Sequence, residues 1–158
     1  MTDPKPLSVR ALDRQALAEA CAEAMYARDW CAQAHDIRLV EVAPGRARMT
    51  MPVRRDMVNG HDICHGGMIF TLADTAFAYA CNGGNRVTVA SGCRIDFAAP
   101  ARLGDTLSAE AEERAQAGRT GVYDITVRRQ DGTLIALFRG NAYRIQGEVV
   151  PGLVAADD

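Results

Sequence analysis

The sequence lacks several features that would assign it to a specialised class of protein. No apolar run approaches the roughly 20 residues that a membrane helix needs. Basic residues are not in excess, since 18 Lys and Arg stand against 20 Asp and Glu, a net charge of −2. A charge balance of this kind gives no electrostatic footprint for nucleic acid. We therefore expect neither a membrane nor a nucleic-acid partner.

The five cysteines are odd in number and include no C-x-x-C pair, which argues against a disulfide framework. The first ten residues also lack the apolar core of a secretory signal peptide. Both observations favour a cytoplasmic protein with reduced thiols. Hydrophobic residues make up 48% and charged residues 24% of the 158 residues, a balance typical of one globular domain. We predict a single domain over residues 1–158.

Hydrophobic periodicity divides the chain into helices and strands. In residues 9–34 apolar residues recur every fourth position from Leu12 to Ala24, which predicts a helix within an N-terminal segment, 1–35. Residues 68–81 are apolar almost all round, as in a buried helix. Alternating patterns and turn residues predict six strands. Their ranges are 37–42, 47–51, 87–97, 106–115, 121–129 and 133–145.

A long apolar helix and an antiparallel sheet each have a face to bury, so they must cover each other. The sequence thus predicts an α+β fold, in which a sheet wraps around a central helix and an N-terminal helix precedes both. Gly140, inside the last strand, predicts a β-bulge. The tail, 148–158, has little periodicity and is expected to fray.

One residue conflicts with the apolar character of the central helix. Asp74 lies in its middle, and the positions one turn away, Phe70, Thr71, Phe77 and Ala78, offer no cation. An ionised carboxylate is costly in such surroundings unless it is paired, and burial favours its neutral form. A structural role, with Asp74 bonded to a backbone amide or a distant arginine, stands beside a functional one.

Gly66 and Gly67 open this helix and predict an oxyanion hole. Backbone N–H groups at a helix start are unsatisfied, and glycine lets a substrate approach them closely. Asp74, however, is eight residues beyond Gly66, which is roughly 12 Å along the helix axis. That is too far for both to serve one carbonyl. Two antiparallel copies would bring Asp74 of one beside Gly66 of the other, so we predict a dimer with two shared sites.

The same residues resemble a known family. The run from Asn59 through Cys64-His65-Gly66-Gly67 to Asn82 is similar to the phenylacetate-degradation branch of the hotdog thioesterases. The resemblance extends over about residues 25–147. Later segments that agree with it are 95–97, 104–107, 121–125 and 136–140.

This resemblance implies a fold, an assembly and an activity. The fold would be a hotdog, a long helix gripped by a curved antiparallel sheet, and dimers with shared active sites would pair into tetramers. The reaction would be hydrolysis of an acyl-CoA thioester, in particular ring-hydroxylated phenylacetyl-CoA. No metal and no cofactor would be needed, because coenzyme A is part of the substrate.

The resemblance also implies roles for individual residues. The Gly66 amide would polarise the thioester carbonyl, Asp74 would act as nucleophile or general base, and Asn59 would orient the water or the thioester. Further contacts with the substrate are expected from five positions. These are His65, Gly67, Thr75, Ser91 and Arg119.

In one position the sequence departs from the family pattern. Members often carry a basic residue just before the proline that follows the third strand, whereas here Ala99 precedes Pro100. If that basic residue contacts the coenzyme phosphates, another arginine must replace it. Arg102, Arg119 and Arg139 are candidates.

Three alternatives remain open at this stage. His61, Cys64 and His65 have the composition of a metal cluster, but they precede the helix and do not share one of its faces. Cys64 as a nucleophile lacks an evident Cys-His-Asn framework. For the function as a whole, a hotdog hydratase that uses Asp74 with His65, or a non-catalytic acyl-CoA-binding module, would suit the same fold.

Overall fold

A computed structural model describes residues 10–156 of the chain. Its α-helices are α1 (Arg14–Tyr26), α2 (Trp30–Ala34) and α3 (Gly66–Asn82), with a 3-10 helix at Arg55–Met57. Its strands are β1 (Arg10–Leu12), β2 (Arg38–Ala43), β3 (Arg46–Pro52), β4 (Thr88–Phe97), β5 (Thr106–Ala117), β6 (Thr120–Arg129), β7 (Leu134–Arg144) and β8 (Leu153–Ala155). Over residues 10–156, no helix combines the length and apolar character needed to cross a membrane.

Six strands form one antiparallel sheet in the order β2-β3-β5-β6-β7-β4. Helix α3 packs against all six of them. The rings of Phe77 on α3 and Tyr123 on β6 lie 5.3 Å apart, and the ring of Phe138 on β7 lies 6.2 Å from Phe77. Helix and sheet therefore share one core, and the predicted α+β arrangement is confirmed. Strand β4 lies at one edge of the sheet.

The prediction of a β-bulge at Gly140 is wrong in its position. Gly140 pairs in register with Cys93, and the irregularity between β4 and β7 falls at Ala90 and Gly92. A Cβ added at Gly140 would lie 2.8 Å from the ring of Phe77. The glycine makes room for a core aromatic ring, and this requirement comes from a helix far away in the sequence.

The single helix predicted over 9–34 is divided into β1, α1 and α2. Asp13 accepts a hydrogen bond from the amide of Ala16, and Asp29 accepts one from the amide of Ala32. Aspartates that bond to the backbone in this way favour helix starts. Each of them begins a new helix, which the fourfold periodicity alone does not reveal. Val9 lies outside the described residues.

The prediction that the tail frays is wrong up to residue 156. Strand β8 pairs in parallel with β1, and Ala155 packs with Leu17 and Cys21 of α1. The buried side chain of Asn85 accepts from the amide of Val150 and donates to the carbonyl groups of Val150 and Leu153. Tertiary contacts with distant parts of the chain thus order a segment that has no strong local preference.

Candidate active site

Helix α3 is buried on most of its circumference, but one stripe is only half-buried. Thr71, Asp74, Thr75 and Ala78 form this stripe, since residues three and four apart share a helix face. The hydroxyls of Thr71 and Thr75 donate to carbonyl groups one turn back, at 2.8 and 2.7 Å. The helix itself therefore uses both hydroxyls, and Asp74 is the ionisable member of the stripe.

The carboxylate of Asp74 has no partner that would stabilise its charge within residues 10–156. It makes no hydrogen bond or ion pair there, and burial raises its pKa above the usual range of a carboxyl. The structural role considered above, a bond to an amide or to a distant arginine, is absent from this part of the chain. Asp74 is a stronger base than an ordinary surface aspartate, and the stripe leaves it accessible.

The start of α3 is organised by His65. The imidazole Nδ1 of His65 accepts a hydrogen bond of 3.1 Å from the amide of Gly67, so Nδ1 is unprotonated and the ring proton of the neutral form is on Nε2. The carbonyl of His65 accepts from Met68. The amide of Gly66, in contrast, has no acceptor in the described part of the chain. Of the two predicted glycine donors, Gly66 is thus the one available to an oxyanion.

Phe97, at the end of β4, lies beside Gly66. A Cβ on Gly66 would be 3.0 Å from the nearest ring carbon of Phe97, and Phe97 is 54% exposed. An alanine at position 66 would therefore press on the end of the Phe97 ring, which would have to shift by a few tenths of an ångström. Phe97 is not among the predicted site residues, although strand alternation through Cys93 and Ile95 places it on the side of the sheet that faces α3.

Asn59 shapes the loop that leads into α3. Its side-chain oxygen accepts from the amide of His61 at 2.9 Å, and its backbone bonds to Ile63 and Asp62. Asn59 is half-buried. The side-chain oxygen is used within the loop, so the NH₂ group is the part of Asn59 that is left to contact a substrate.

Asn59, His65, Gly66 and Gly67 therefore lie together at the helix start, while Asp74 and Thr75 lie two turns along the same helix. Gly66 and Asp74 are roughly 12 Å apart along the axis at 1.5 Å per residue. The separation expected from the sequence is thus present, and one chain does not bring the amide and the carboxylate to one carbonyl.

Ser91 and Arg119 lie away from the helix start. The exposed Ser91 hydroxyl on β4 donates to the carbonyl of Asn141. Arg119 lies in the turn between β5 and β6, where it lines a cleft of about 440 Å³ with Arg86 and Arg144. A larger cleft of about 810 Å³ lies elsewhere on the sheet, and none of the predicted catalytic residues lines it. Its lining includes Arg48, Arg94 and Arg139.

The chemical alternatives receive no support from the site. Within residues 10–156 no three His, Cys, Asp or Glu side chains are grouped as a metal would require. Burial raises the pKa of Cys64 to about 11, so its thiol is protonated and poorly nucleophilic at neutral pH. The imidazole Nδ1 of His65 is occupied by Gly67, and no Asp74–His65 hydrogen bond of the kind a hydratase would need is formed in the described chain.

Comparisons with known proteins identify the class. Residues 61–136 match the family described as the Thioesterase superfamily, and this segment contains the helix start, Asp74 and β4. The chain belongs to this superfamily and is a hydrolase of thioester bonds with the hotdog fold.

PaaI proteins are among the individual relatives. The acyl-coenzyme A thioesterase PaaI of Escherichia coli K12 is 51% identical over 128 residues, 81% of this chain and 91% of that protein. A structure of E. coli PaaI from the phenylacetic acid degradation operon has a TM-score of 0.85 at 48% identity, covering 86% of this chain and 99% of that one. A mutant of PaaI from Thermus thermophilus has a TM-score of 0.71 at 36% identity, covering 74% and 100%. The resemblance to the phenylacetate-degradation branch is confirmed.

Proposed function

We propose that the protein hydrolyses phenylacetyl-CoA and its ring-hydroxylated forms to the free acid and coenzyme A. The observation that carries the proposal is the half-buried carboxylate of Asp74, which has no partner in the described chain and a raised pKa. A carboxylate of this kind is suited to take a proton or attack a carbonyl near neutral pH. The relationship to a PaaI thioesterase supports the acyl-CoA class of substrate.

The complete site is proposed to need two subunits. Asp74 of one subunit would face the free amide of Gly66 of the partner subunit, which overcomes the separation along α3. Strand β4 offers the surface for this contact, because it is at the edge of the sheet and exposes Val89 and Phe97. An edge strand with exposed apolar side chains is a ready site for pairing with a second copy. Two such dimers would form the tetramer.

In the proposed reaction the thioester carbonyl accepts a hydrogen bond from the Gly66 amide, which stabilises the negative charge that develops on its oxygen. Asp74 takes a proton from a water molecule as that water attacks the carbonyl carbon. Collapse of the tetrahedral intermediate breaks the C–S bond, and the thiolate of coenzyme A receives the proton from Asp74. The base and the oxyanion donor both come from the chain, so no step of this mechanism uses a metal or cofactor.

Asp74 has a second way to act, by attacking the carbonyl directly, which breaks the C–S bond, releases the thiolate of coenzyme A and leaves a mixed anhydride that water then hydrolyses. A single turnover in water labelled with oxygen-18 separates the two mechanisms. Incorporation of the label into the Asp74 carboxylate indicates direct attack, because water then hydrolyses the anhydride at the Asp74 carbonyl. Label in the acid product alone means that water attacked the acyl carbon.

Asn59 and His65 have supporting roles in this proposal. The NH₂ group of Asn59 would orient the water or the thioester, while His65 holds the helix start through Gly67. The exposed ring of Phe97 beside Gly66 would pack against an aromatic acyl group, which favours arylacetyl over short aliphatic substrates. Thr75 and Ser91 are proposed to line the acyl and pantetheine path. A cytoplasmic location stays a prediction.

The test is release of free thiol from a panel of aryl and alkyl acyl-CoA substrates. We expect phenylacetyl-CoA and hydroxyphenylacetyl-CoA to give a higher kcat/KM than butyryl-CoA of similar solubility, and Phe97→Leu to narrow the difference. Equal rates across the panel would remove the proposed specificity.

The shared site is tested by mixing two inactive variants. Asp74→Asn and Gly66→Pro subunits, unfolded and refolded together, should regain part of the activity, because one site of each mixed dimer has both native residues. A mixture as inactive as both parents, in a sample shown to contain mixed dimers, would rule out the shared site.

A further inference from the structure

A trough is open between helix α3 and the edge strand β4. Cys93 and Phe97 of β4 pair in register with Gly140 and Ala136 of β7, and those two positions face the core. Because residues directly opposite each other share a face of the sheet, Cys93 and Phe97 point to the side that carries the helix. Both side chains are nevertheless exposed. The helix therefore leaves a space beside the inner face of β4, which we call the α3–β4 trough.

The end of the α3–β4 trough nearest the helix start is apolar. The half-buried ring of Phe70, one turn before Asp74, lies 5.1 Å from the ring of Phe138, edge to face. Ile95 of β4 pairs with Phe138, and the ring of Phe97 lies beside the first residue of α3. Beyond Asp74, in contrast, the half-buried stripe carries only small side chains. An aromatic acyl group with its thioester at Asp74 thus has its apolar partners toward the helix start.

Thr71 brings one hydroxyl group into this apolar end. Thr71 and Asp74 are three residues apart on the stripe, so their Cβ atoms are about 5–6 Å apart. That separation is comparable with the width of a phenyl ring that carries a hydroxyl group. A phenylacetyl group whose carbonyl lies at Asp74 can therefore place a ring hydroxyl against Thr71.

The hydrogen of the Thr71 hydroxyl is already used by the helix. The hydroxyl donates to the carbonyl of Gly67 at 2.8 Å, and a hydroxyl has one donor and two acceptor lone pairs. Within residues 10–156 no group donates to this oxygen. Thr71 therefore offers a ligand acceptor capacity alone. When an aromatic ring displaces water from the half-buried Thr71 oxygen, the lone pairs lose their partners unless the ring itself carries a donor.

We propose that Thr71 recognises the ring hydroxyl of the acyl group by accepting a hydrogen bond from it. This inference rests on the proposed function and deepens it, because it identifies the residue that favours hydroxylated over plain phenylacetyl groups. A phenol O–H is a donor, and its bond to Thr71 satisfies an oxygen that a plain phenyl ring would leave unpaired. An aryl ether at the same ring position has an acceptor but no donor, so it gains nothing from Thr71. The inference needs only Thr71 and Asp74 of one chain.

The test measures kcat/KM for phenylacetyl-CoA and for its ortho-, meta- and para-hydroxy forms. Thr71→Val keeps the branched side chain but removes the hydroxyl. For the ring isomer that the wild type prefers, the ratio of kcat/KM for the hydroxylated to the plain substrate should fall about three- to tenfold, the effect of one neutral hydrogen bond. Thr71→Ser should keep most of the wild-type ratio, because it keeps the hydroxyl.

A methoxy substrate separates hydrogen-bond acceptance from packing. The wild type should prefer the hydroxy to the methoxy form of the same ring isomer, and Thr71→Val should reduce this preference by a similar factor. Thr126→Val is the matched control. It makes the same chemical change at a half-buried threonine of β6 that lines the cleft on the other face of the sheet, and it should leave every ratio at the wild-type value.

A hydroxyl-to-phenyl ratio in Thr71→Val equal to that of the wild type would overturn the assignment. So would a wild type that accepts the methoxy form as well as the hydroxy form, a result that needs no variant. An equal loss in Thr71→Val for all three substrates would also overturn it, because that loss would come from packing.

These outcomes are separable from a failure of the proposed function. Calorimetry with thioether analogues, in which a CH₂ group replaces the thioester carbonyl, compares the Kd for hydroxyphenylethyl-CoA and phenylethyl-CoA without turnover. If the wild type hydrolyses no aryl acyl-CoA, the proposed enzymatic function is wrong. The Kd ratio in the wild type and in Thr71→Val still decides the role of Thr71, and a wild type that binds neither thioether, or both equally, refutes it.

Discussion

Replacing Asp74 by asparagine should remove most of the activity and, at neutral pH, stabilise the fold. Asparagine keeps the size of the side chain but removes its charge and its basicity. A positioned acid–base group contributes about 100- to 10,000-fold to a rate. Because Thr71, Thr75 and Ala78 on the same stripe supply no replacement base, we expect kcat for phenylacetyl-CoA to fall within that range. The amide of Gly66 is unaffected, so KM should change little.

The gain in stability follows from the raised pKa of Asp74. The folded protein binds the Asp74 proton more tightly than the unfolded chain does. Relative stability is therefore highest below the pKa of the unfolded carboxyl, and it is lost as pH rises through the higher pKa of the folded state. At neutral pH the wild type is destabilised by the ionised Asp74 carboxylate, whereas Asp74→Asn has no charge at this position. Because Asp74 is only half-buried, solvent screening keeps the effect small, and a gain on the order of 0.5 kcal/mol is expected.

Urea unfolding of both proteins at pH 7 and at about pH 4 measures the difference, and thiol release measures activity on the same samples. The stability difference should shrink as pH falls, because protonation makes the wild-type side chain neutral as well. Asp124→Asn is a useful contrast: its partner Arg139 lowers the pKa of Asp124, so this change should destabilise the protein at pH 7. A destabilised Asp74→Asn at pH 7 would refute the claim that Asp74 is unpaired.

Three further substitutions test particular contacts. Gly66→Ala puts a methyl group 3.0 Å from the Phe97 ring and should lower kcat/KM on the order of ten- to 100-fold. Adding Phe97→Leu in the same chain should restore part of kcat/KM. If it restores none, the loss does not come from contact with Phe97. Gly140→Ala places a Cβ 2.8 Å from the Phe77 ring and should lower the free energy of unfolding by about 1–3 kcal/mol, as measured by urea titration. An unchanged urea midpoint would mean that the Phe77 ring can move to make room. Asn85→Ala removes three hydrogen bonds to the C-terminal segment and should lower the free energy of unfolding by about 2–4 kcal/mol. Amide hydrogen exchange in β8 should become faster. Exchange protection in β8 equal to that of the wild type would contradict this prediction.

Local sequence patterns were enough to predict the central elements of the fold. The apolar run that became α3 and the alternating patterns of β3 to β7 are determined by neighbours in the sequence, so periodicity locates them. The boundaries of the N-terminal helices depend instead on single hydrogen bonds from Asp13 and Asp29. The order of the tail depends on Asn85 and β1, which are distant in sequence, and no local pattern reports such pairing.

The candidate site shows the same division. Asp74 stands out because an acid in an apolar run violates a local rule, and Gly66 because glycines at a helix start expose an amide. The proximity of Phe97 to Gly66 and the gathering of Arg86 and Arg144 around Arg119 depend on strand register. A one-residue change of register would send these side chains to the other face, so the sequence alone does not determine them.

Two features of the chain that are unfavourable in isolation lie next to each other. One is the half-buried stripe of α3, whose Asp74 has no counter-charge in the described residues. The other is the edge of β4, where Phe97 is exposed over Gly66. A partner that covered only β4 would pair the backbone groups of the sheet edge but would leave the Asp74 carboxylate without a partner. A ligand bound only at Asp74 would leave the edge of β4 open to aggregation. In the proposed dimer a two-fold contact between identical chains would address both, because pairing at β4 would turn the helix start of one copy toward the stripe of the other. On this proposal the acid at position 74 would be a reason for the assembly as well as for the chemistry.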